Sequence, residues 1–188
     1  MTKRIPKSTI TPMYKRRDKK CIDSTLCYLE RRGRFLMLFR NMKENDPCEG
    51  KWVGVGGKFE PGETKEECLI REVFEETGLT LTSFESRGIV HFESDVLPDE
   101  DMYLFTANLD SLNSSPLFDT DSAGRVTKSK ELCNEGELCW IPKSEVLSLN
   151  LWEGDKYFLE PLIKGLKNIE IICSYEGDTL VDTKVLSL

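Results

Sequence analysis

The chain has 188 residues, 39% of them hydrophobic and 31% charged, which is enough for one good core and short for two. Its net charge of −7 hides an asymmetry: in residues 1–20 eight Lys and Arg stand against Asp18, a sum of +7 that leaves −14 for the remainder. An acidic body excludes a duplex nucleic-acid binder, which needs a basic face for phosphates, and the apolar runs are too short to span a bilayer.

Residues 1–20 read as a basic N-terminal extension and 21–188 as a single domain. The extension lacks the apolar core of a secretory signal, so a cytoplasmic location is the expectation. Seven scattered cysteines without a CxxC pair, and His91 as the single histidine, point to free thiols rather than a zinc site.

In chain order, residues 22–40 form two apolar runs broken by Arg31-Arg32-Gly33, a hairpin signal. Residues 41–50 are a polar loop. A short strand over 51–55 follows, punctuated by Gly54, Gly56 and Gly57. The spacing predicts a helix over 64–77, opened by Pro61-Gly62 and closed by Gly78 at C′. Runs at 79–94 and 101–109 alternate like strands, with His91 in a structural role. Residues 110–134 read as a long loop without period.

A strand over 138–141 comes next, then a helical turn from Pro142. The second helix is predicted over 156–166, with Phe158, Leu159, Leu162, Ile163 and Leu166 on its apolar side. Residues 169–175 and 179–186 read as a hairpin around Glu176-Gly177-Asp178. Strands mixed with two helices indicate one α/β or α+β domain.

The segment 57–79, GKFEPGETKEECLIREVFEETGL, holds seven glutamates against three basic residues. Glu72, Glu75 and Glu76 stand at i, i+3 and i+4, so a helix puts them on one face, where they repel unless a cation sits among them. Crowded hard oxygen ligands suit Mg²⁺, with Mn²⁺ as a substitute. Arg71 is placed to pair with a carboxylate and fix its rotamer.

The spacing Gly57-x5-Glu63-x7-Arg71-Glu72-Val73-x-Glu75-Glu76-x-Gly78-Leu79 matches the Nudix box at every defined position, and the chain resembles a Nudix hydrolase. The resemblance implies an α/β/α sandwich around a mixed β-sheet and hydrolysis of a nucleoside diphosphate linked to another moiety. It implies metal held by Glu72, Glu75 and Glu76 with the carbonyl of Gly56, catalytic roles for Arg71, Glu75 and Glu76, and box positions Gly57, Glu63 and Gly78. Lys58, beside the site, is placed to neutralise phosphate charge.

Further segments (LCYLERRGRFLMLFR, KWVGVGGKFEPGE, MYLFTA, EGELCWIP and LWEGDKYFL) are similar to the MutT-type 8-oxo-dGTP diphosphatases. That likeness implies release of a nucleoside monophosphate and pyrophosphate, with a nucleoside triphosphate as substrate and a monomer or homodimer as the assembly. It assigns the base to Trp152 and Asp155, with Phe92 and Met102 in the pocket wall. Two positions depart from the mammalian oxidised-purine enzyme: Gly154 replaces an acid, and Val53 replaces an asparagine. Glu135 matches the carboxylate outside the box that serves as general base or extra ligand, with Glu137 as its rival. Other substrates of the family, such as unmodified dNTPs, ADP-ribose, dinucleoside polyphosphates or capped RNA, form the alternative. The proline usual about fifteen residues after the box in ADP-ribose enzymes is absent, since 93–95 read Glu-Ser-Asp. A non-catalytic nucleotide sensor is the remaining reading, and the intact box glutamates oppose it.

Overall fold

The computed structural model describes residues 21–43 and 46–188. The basic extension assigned to 1–20 lies outside the described residues. Strands β1 (Cys21–Arg31) and β2 (Arg34–Arg40) form the expected hairpin, turned by Arg32 and Gly33 at positive φ. β3 is shorter than expected, Trp52–Val53, with Val55 bridging separately to Cys27. Then come α1 (Lys65–Thr77), β4 (Glu85–Ser94) and β5 (Asp99–Asn108). A 3₁₀ turn at Pro116–Phe118 and the short α2 (Ser129–Leu132) precede β6 (Gly136–Pro142). The chain closes with α3 (Lys143–Val146), α4 (Asp155–Ile163), β7 (Ile169–Glu176) and β8 (Thr179–Ser187).

One mixed sheet runs β3-β2-β1-β5-β4-β7-β8, with β6 pairing β2 as well. β1 is parallel to β5 and β4 parallel to β7, while the other pairs are antiparallel. Side chains alternate across this sheet and make two cores. Cys27, Leu29, Leu36, Leu38 and Phe105 face α1, joining Leu69 and Val73. Tyr28, Phe35, Met37 and Leu104 face the other way, joining Phe158, Leu159 and Leu162 of α4. Helices on both faces of a mixed sheet make the α/β/α sandwich.

Three expectations are corrected. Residues 110–134 are a packed segment rather than a structureless loop: Leu117, Val126 and Cys133 are buried, and the Trp140 indole N–H donates to the Leu117 carbonyl at 2.7 Å. Its apolar residues are few and without period, so nothing local announces the packing. The strand expected from 79 begins at Glu85, because Leu81 turns into the α1-side core first. Leu166 lies past the end of α4 and is 40% exposed. His91 Nδ1 lies 2.7 Å from the Asp101 carboxylate on the neighbouring strand. Among the described residues no helix is long and apolar enough to cross a membrane.

Candidate active site

The helix that carries the glutamates is fixed at both ends by its own sequence. Thr64 accepts from the Glu67 N–H while Glu67 accepts from the Thr64 N–H, a reciprocal cap worth ~1 kcal/mol. At the other end Gly78, at φ 70°, donates to the Phe74 carbonyl at 2.8 Å. Leu69 and Val73 are fully buried against the sheet, and losing either side chain there would cost ~2–5 kcal/mol. With that face buried, the residues at 71, 72 and 75 emerge toward the loop over 54–63.

Arg71 organises the acids. Its Nε and Nη2 donate to the two Glu63 oxygens at 2.6 and 2.8 Å, its Nη1 to Glu72 at 2.7 Å and to Glu75 at 3.3 Å. Nη2 also reaches the Lys58 carbonyl at 3.0 Å. This paired guanidinium, with the Glu60 N–H, holds the Glu63 carboxyl down at about 2. Lys58 itself is exposed beside the loop.

Glu76 differs from the other acids. It is only 5% exposed, and its carboxylate accepts the Gly56 N–H at 3.0 Å. Burial pushes its pKa up to about 8 despite that hydrogen bond, and the Glu72 charge adds to the rise. Burial also raises Glu72. Gly56 and Gly57 are required by close approach: a Cβ on Gly56 would lie 2.1 Å from the Thr25 carbonyl oxygen, and one on Gly57 2.5 Å from the Glu72 carboxylate.

The donor chemistry fits a hard divalent cation, since Glu76 is desolvated beside the Glu72 charge, Glu72 is desolvated beside Glu75 and Glu63, and Arg71 is the one guanidinium bonded to the box acids among the described residues. In this conformation Arg71 draws Glu72 and Glu75 toward itself. Among the described residues no three His, Cys, Asp or Glu side chains close around a single point.

Glu135 does not join the box directly. It sits just before β6, where Arg40 and Lys43 pair with its two oxygens, and Arg40 also donates to Asp46 at 2.6 Å. Arg40 and Lys43 are near enough to Glu76 to pull its pKa down. These two cations were not singled out from sequence, because one ends a strand and the other stands in a polar loop, with no motif around either. Glu137 lies within β6 and lines a cavity of about 340 Å³ with Asp121, Arg125 and Lys128.

The residues assigned to the base gather on the other face of the sheet. Phe92, Met102 and Trp152 each pack against the α4-side core, and Phe92 and Trp152 both meet Tyr175. The Trp152 ring meets Tyr175 edge-on, centroids 5.6 Å apart, and Lys51 Nζ lies 5.1 Å from its centroid. Asp155 begins α4, and burial pushes its carboxyl up to about 7 against the opposing pull of Lys51 and the Trp152 N–H. Val53 is not part of this group. It packs on the α1-side core, while its neighbour Trp52 packs on the α4 side. Strand alternation decides this: adjacent residues cannot share a face. Residues 51–56 link the two halves, from Lys51 over Trp152 to Gly56 at Glu76.

Fold and site together define a phosphate-directed hydrolase scaffold: a sandwiched mixed sheet with an arginine-braced acidic loop–helix–loop at one end. The NUDIX domain model matches residues 22–162, and the chain belongs to that family. It is a Nudix hydrolase, of a class that acts on pyrophosphate bonds in nucleotide substrates and generally uses divalent metal ions. It is 30% identical over 144 residues to an uncharacterized Nudix hydrolase, YvcI, of Bacillus subtilis, covering 75% of this chain and 78% of that one. It is 29% identical over 127 residues to the oxidized purine nucleoside triphosphate hydrolase of Mus musculus, covering 67% and 71%. Among solved structures, a MutT protein from Bacillus halodurans superposes with a TM-score of 0.67 at 26% identity, covering 88% of this chain and 97% of that one.

Proposed function

We propose that the chain is a Mg²⁺-dependent nucleoside triphosphate pyrophosphohydrolase that prefers 8-oxo-dGTP, releasing 8-oxo-dGMP and pyrophosphate. One catalytic domain over 21–188 carries this activity, and residues 1–20 are a basic extension. The observation that carries the reading is that Trp152, Phe92 and Met102 pack on the same core, Trp152 and Phe92 on the shared Tyr175 ring, with a desolvated Asp155 three residues beyond Trp152, at the far end of the segment that leads to the box. The likeness to the mouse hydrolase of oxidized purine triphosphates supports the same choice.

Glu72, Glu75, Glu76 and the Gly56 carbonyl would hold the metal, which would supply Lewis acidity toward phosphoryl oxygens and lower the pKa of water. Arg71 keeps Glu72 and Glu75 on the side of the helix that faces the phosphates. Arg40 and Lys43, beside Glu76, offer cationic contacts to a polyanion, with the exposed Lys58 at the loop. Glu135 orders that pair by holding both, and it takes over as base or ligand only when the phosphates draw the cations from it.

Purine selectivity follows from one atom. Oxidation at C8 turns N7 from an acceptor into an N–H donor, so an ionised Asp155 pairs with the oxidised base and leaves dGTP without a partner. A site whose buried polar group goes unpaired discriminates strongly. The test is kcat/KM for 8-oxo-dGTP against dGTP, with ¹⁸O-water to locate the broken bond. We expect the oxidised nucleotide to be preferred and the label to enter pyrophosphate. Equal values for the two nucleotides would end the sanitising role and leave the family membership intact.

A further inference from the structure

We propose that Tyr175 is a positioning residue for the base-reading end of the site, acting through Gly154. The reading of Trp152 and Asp155 as base contacts underlies this inference. Gly154 lies between those two residues and precedes α4, and no side chain of the helix caps its N-terminus. The Gly154 N–H instead donates to the Tyr175 hydroxyl at 2.7 Å, from a tyrosine that is 4% exposed on β7.

The tyrosine ring supports the same group from below. Its centroid lies 5.2 Å from Phe92 at a 38° tilt, and 5.6 Å from Trp152 at 84°. One residue thus touches the aromatic wall, the aromatic platform and the backbone that joins platform to acid. Rotation of the 152–155 turn would move Trp152 and Asp155 together; the Tyr175 hydroxyl pins its Gly154 N–H at 2.7 Å, and the Cys173 thiol, donating to the Gly154 carbonyl at 3.8 Å, is the longer contact beside it.

The glycine belongs to the same device. A Cβ at 154 would stand 2.7 Å from the Tyr175 oxygen and 3.0 Å from the Cys173 sulfur. Hydroxyl and side chain cannot both occupy that space. A chain that anchors this turn through Tyr175 must therefore leave position 154 bare, and Asp155 is left as the acid of the turn that is desolvated against the core.

The experiment uses Tyr175→Phe, Gly154→Ala and the double variant in the full-length enzyme with Mg²⁺. Two quantities are measured for each: KM for the preferred nucleotide triphosphate and the inhibition constant of pyrophosphate. Tyr175→Phe keeps the ring and removes the pin, so KM should rise about tenfold, kcat should fall less than about threefold, and pyrophosphate inhibition should stay within about twofold. Gly154→Ala should raise KM at least as far in the wild-type background. In the Tyr175→Phe background the same change should add clearly less than in the wild type, because the oxygen it strikes at 2.7 Å is gone and only the milder approach to the Cys173 sulfur at 3.0 Å remains.

Unchanged nucleotide KM in Tyr175→Phe would overturn the proposal. So would an equal loss of nucleotide and pyrophosphate binding, which marks a prop of the whole fold, or fully additive effects in the double variant. Thermal melts identify a variant that fails to fold, and in that case the Gly154→Ala values decide by the same criteria. The wild-type comparison of 8-oxo-dGTP with dGTP is independent of these outcomes. Equal cleavage there defeats the purine reading, and the Tyr175 test is then read on whichever nucleotide is cleaved best.

Discussion

Arg71 and Glu63 are joined by two hydrogen bonds, 2.6 and 2.8 Å, that reach from the middle of a helix back across the loop before it. A paired fork of this kind fixes the guanidinium plane, and through it the Glu72 and Glu75 rotamers. Replacing Glu63 with Gln leaves one acceptor and no charge. We expect kcat to fall at least tenfold while the helix, capped by Thr64 and Gly78, stays folded by circular dichroism. The pH dependence has a definite sign. The Glu63 pKa is depressed to about 2, so its contribution to stability is present above its ordinary value and disappears as pH falls toward 2. Denaturant titrations between pH 5 and 2 should therefore show a flatter acid limb in Glu63→Gln.

Glu75 is the most exposed of the three helix acids, and its side chain meets Arg71 through the longer contact at 3.3 Å. Glu75→Gln keeps volume and removes a proposed anionic ligand, so turnover in Mg²⁺ should drop by orders of magnitude with little change in Tm. Chelation of the wild type should abolish activity and added Mg²⁺ should restore it. Normal turnover in Glu75→Gln would show that the metal is held elsewhere.

Gly56 and Gly57 should respond differently to the same methyl group. At Gly56 it strikes the Thr25 carbonyl at 2.1 Å, in backbone that cannot step aside, so Gly56→Ala should lower Tm sharply or prevent folding. At Gly57 it meets the end of the Glu72 side chain, which can rotate away. Gly57→Ala should fold and lose activity, because the carboxylate that moves is one of the proposed metal ligands. Parallel melts and rate assays separate the two.

Glu135→Gln tests the role of the Arg40 and Lys43 pair. If Glu135 acts as general base, kcat falls about 10²-fold or more and the pH profile shifts. If it orders the two cations, the loss appears chiefly in KM, and Arg40→Ala reproduces it. The kcat and KM values of both variants across pH 6–9 distinguish these outcomes.

Asp155 links stability to pH in the opposite sense from Glu63. Its pKa is raised from 3.8 to about 7, so the folded state retains a proton that the unfolded chain has lost. Stability from this group is therefore greatest below pH 4 and is lost as pH rises through 7. Asp155→Asn should flatten that fall, gaining on the wild type between pH 5 and 8 in chemical denaturation. Asp155→Ala should shrink the ratio of kcat/KM for 8-oxo-dGTP over dGTP more than it harms dGTP hydrolysis.

What the sequence determined by itself was whatever depends on near neighbours. The acidic helix, its start after Pro61-Gly62, its glycine stop and the shared face of Glu72, Glu75 and Glu76 all follow from spacings of three to fifteen residues, while the Thr64–Glu67 cap was equally local and went unread. Alternation likewise showed the β1–β2 and β7–β8 hairpins. Tertiary structure decided the rest: the capture of Glu135 by Arg40 and Lys43 across the fold, the turning of Val53 away from Trp152, the burial of Leu117 and Val126 in an aperiodic segment, and the hydroxyl of Tyr175 filling the space above Gly154. A helix or strand repeats its environment at a fixed period, so its burial is written along the chain. A contact between residues 21 or 95 positions apart leaves no period, and only the packed sheet, by choosing which faces meet, brings its two partners together.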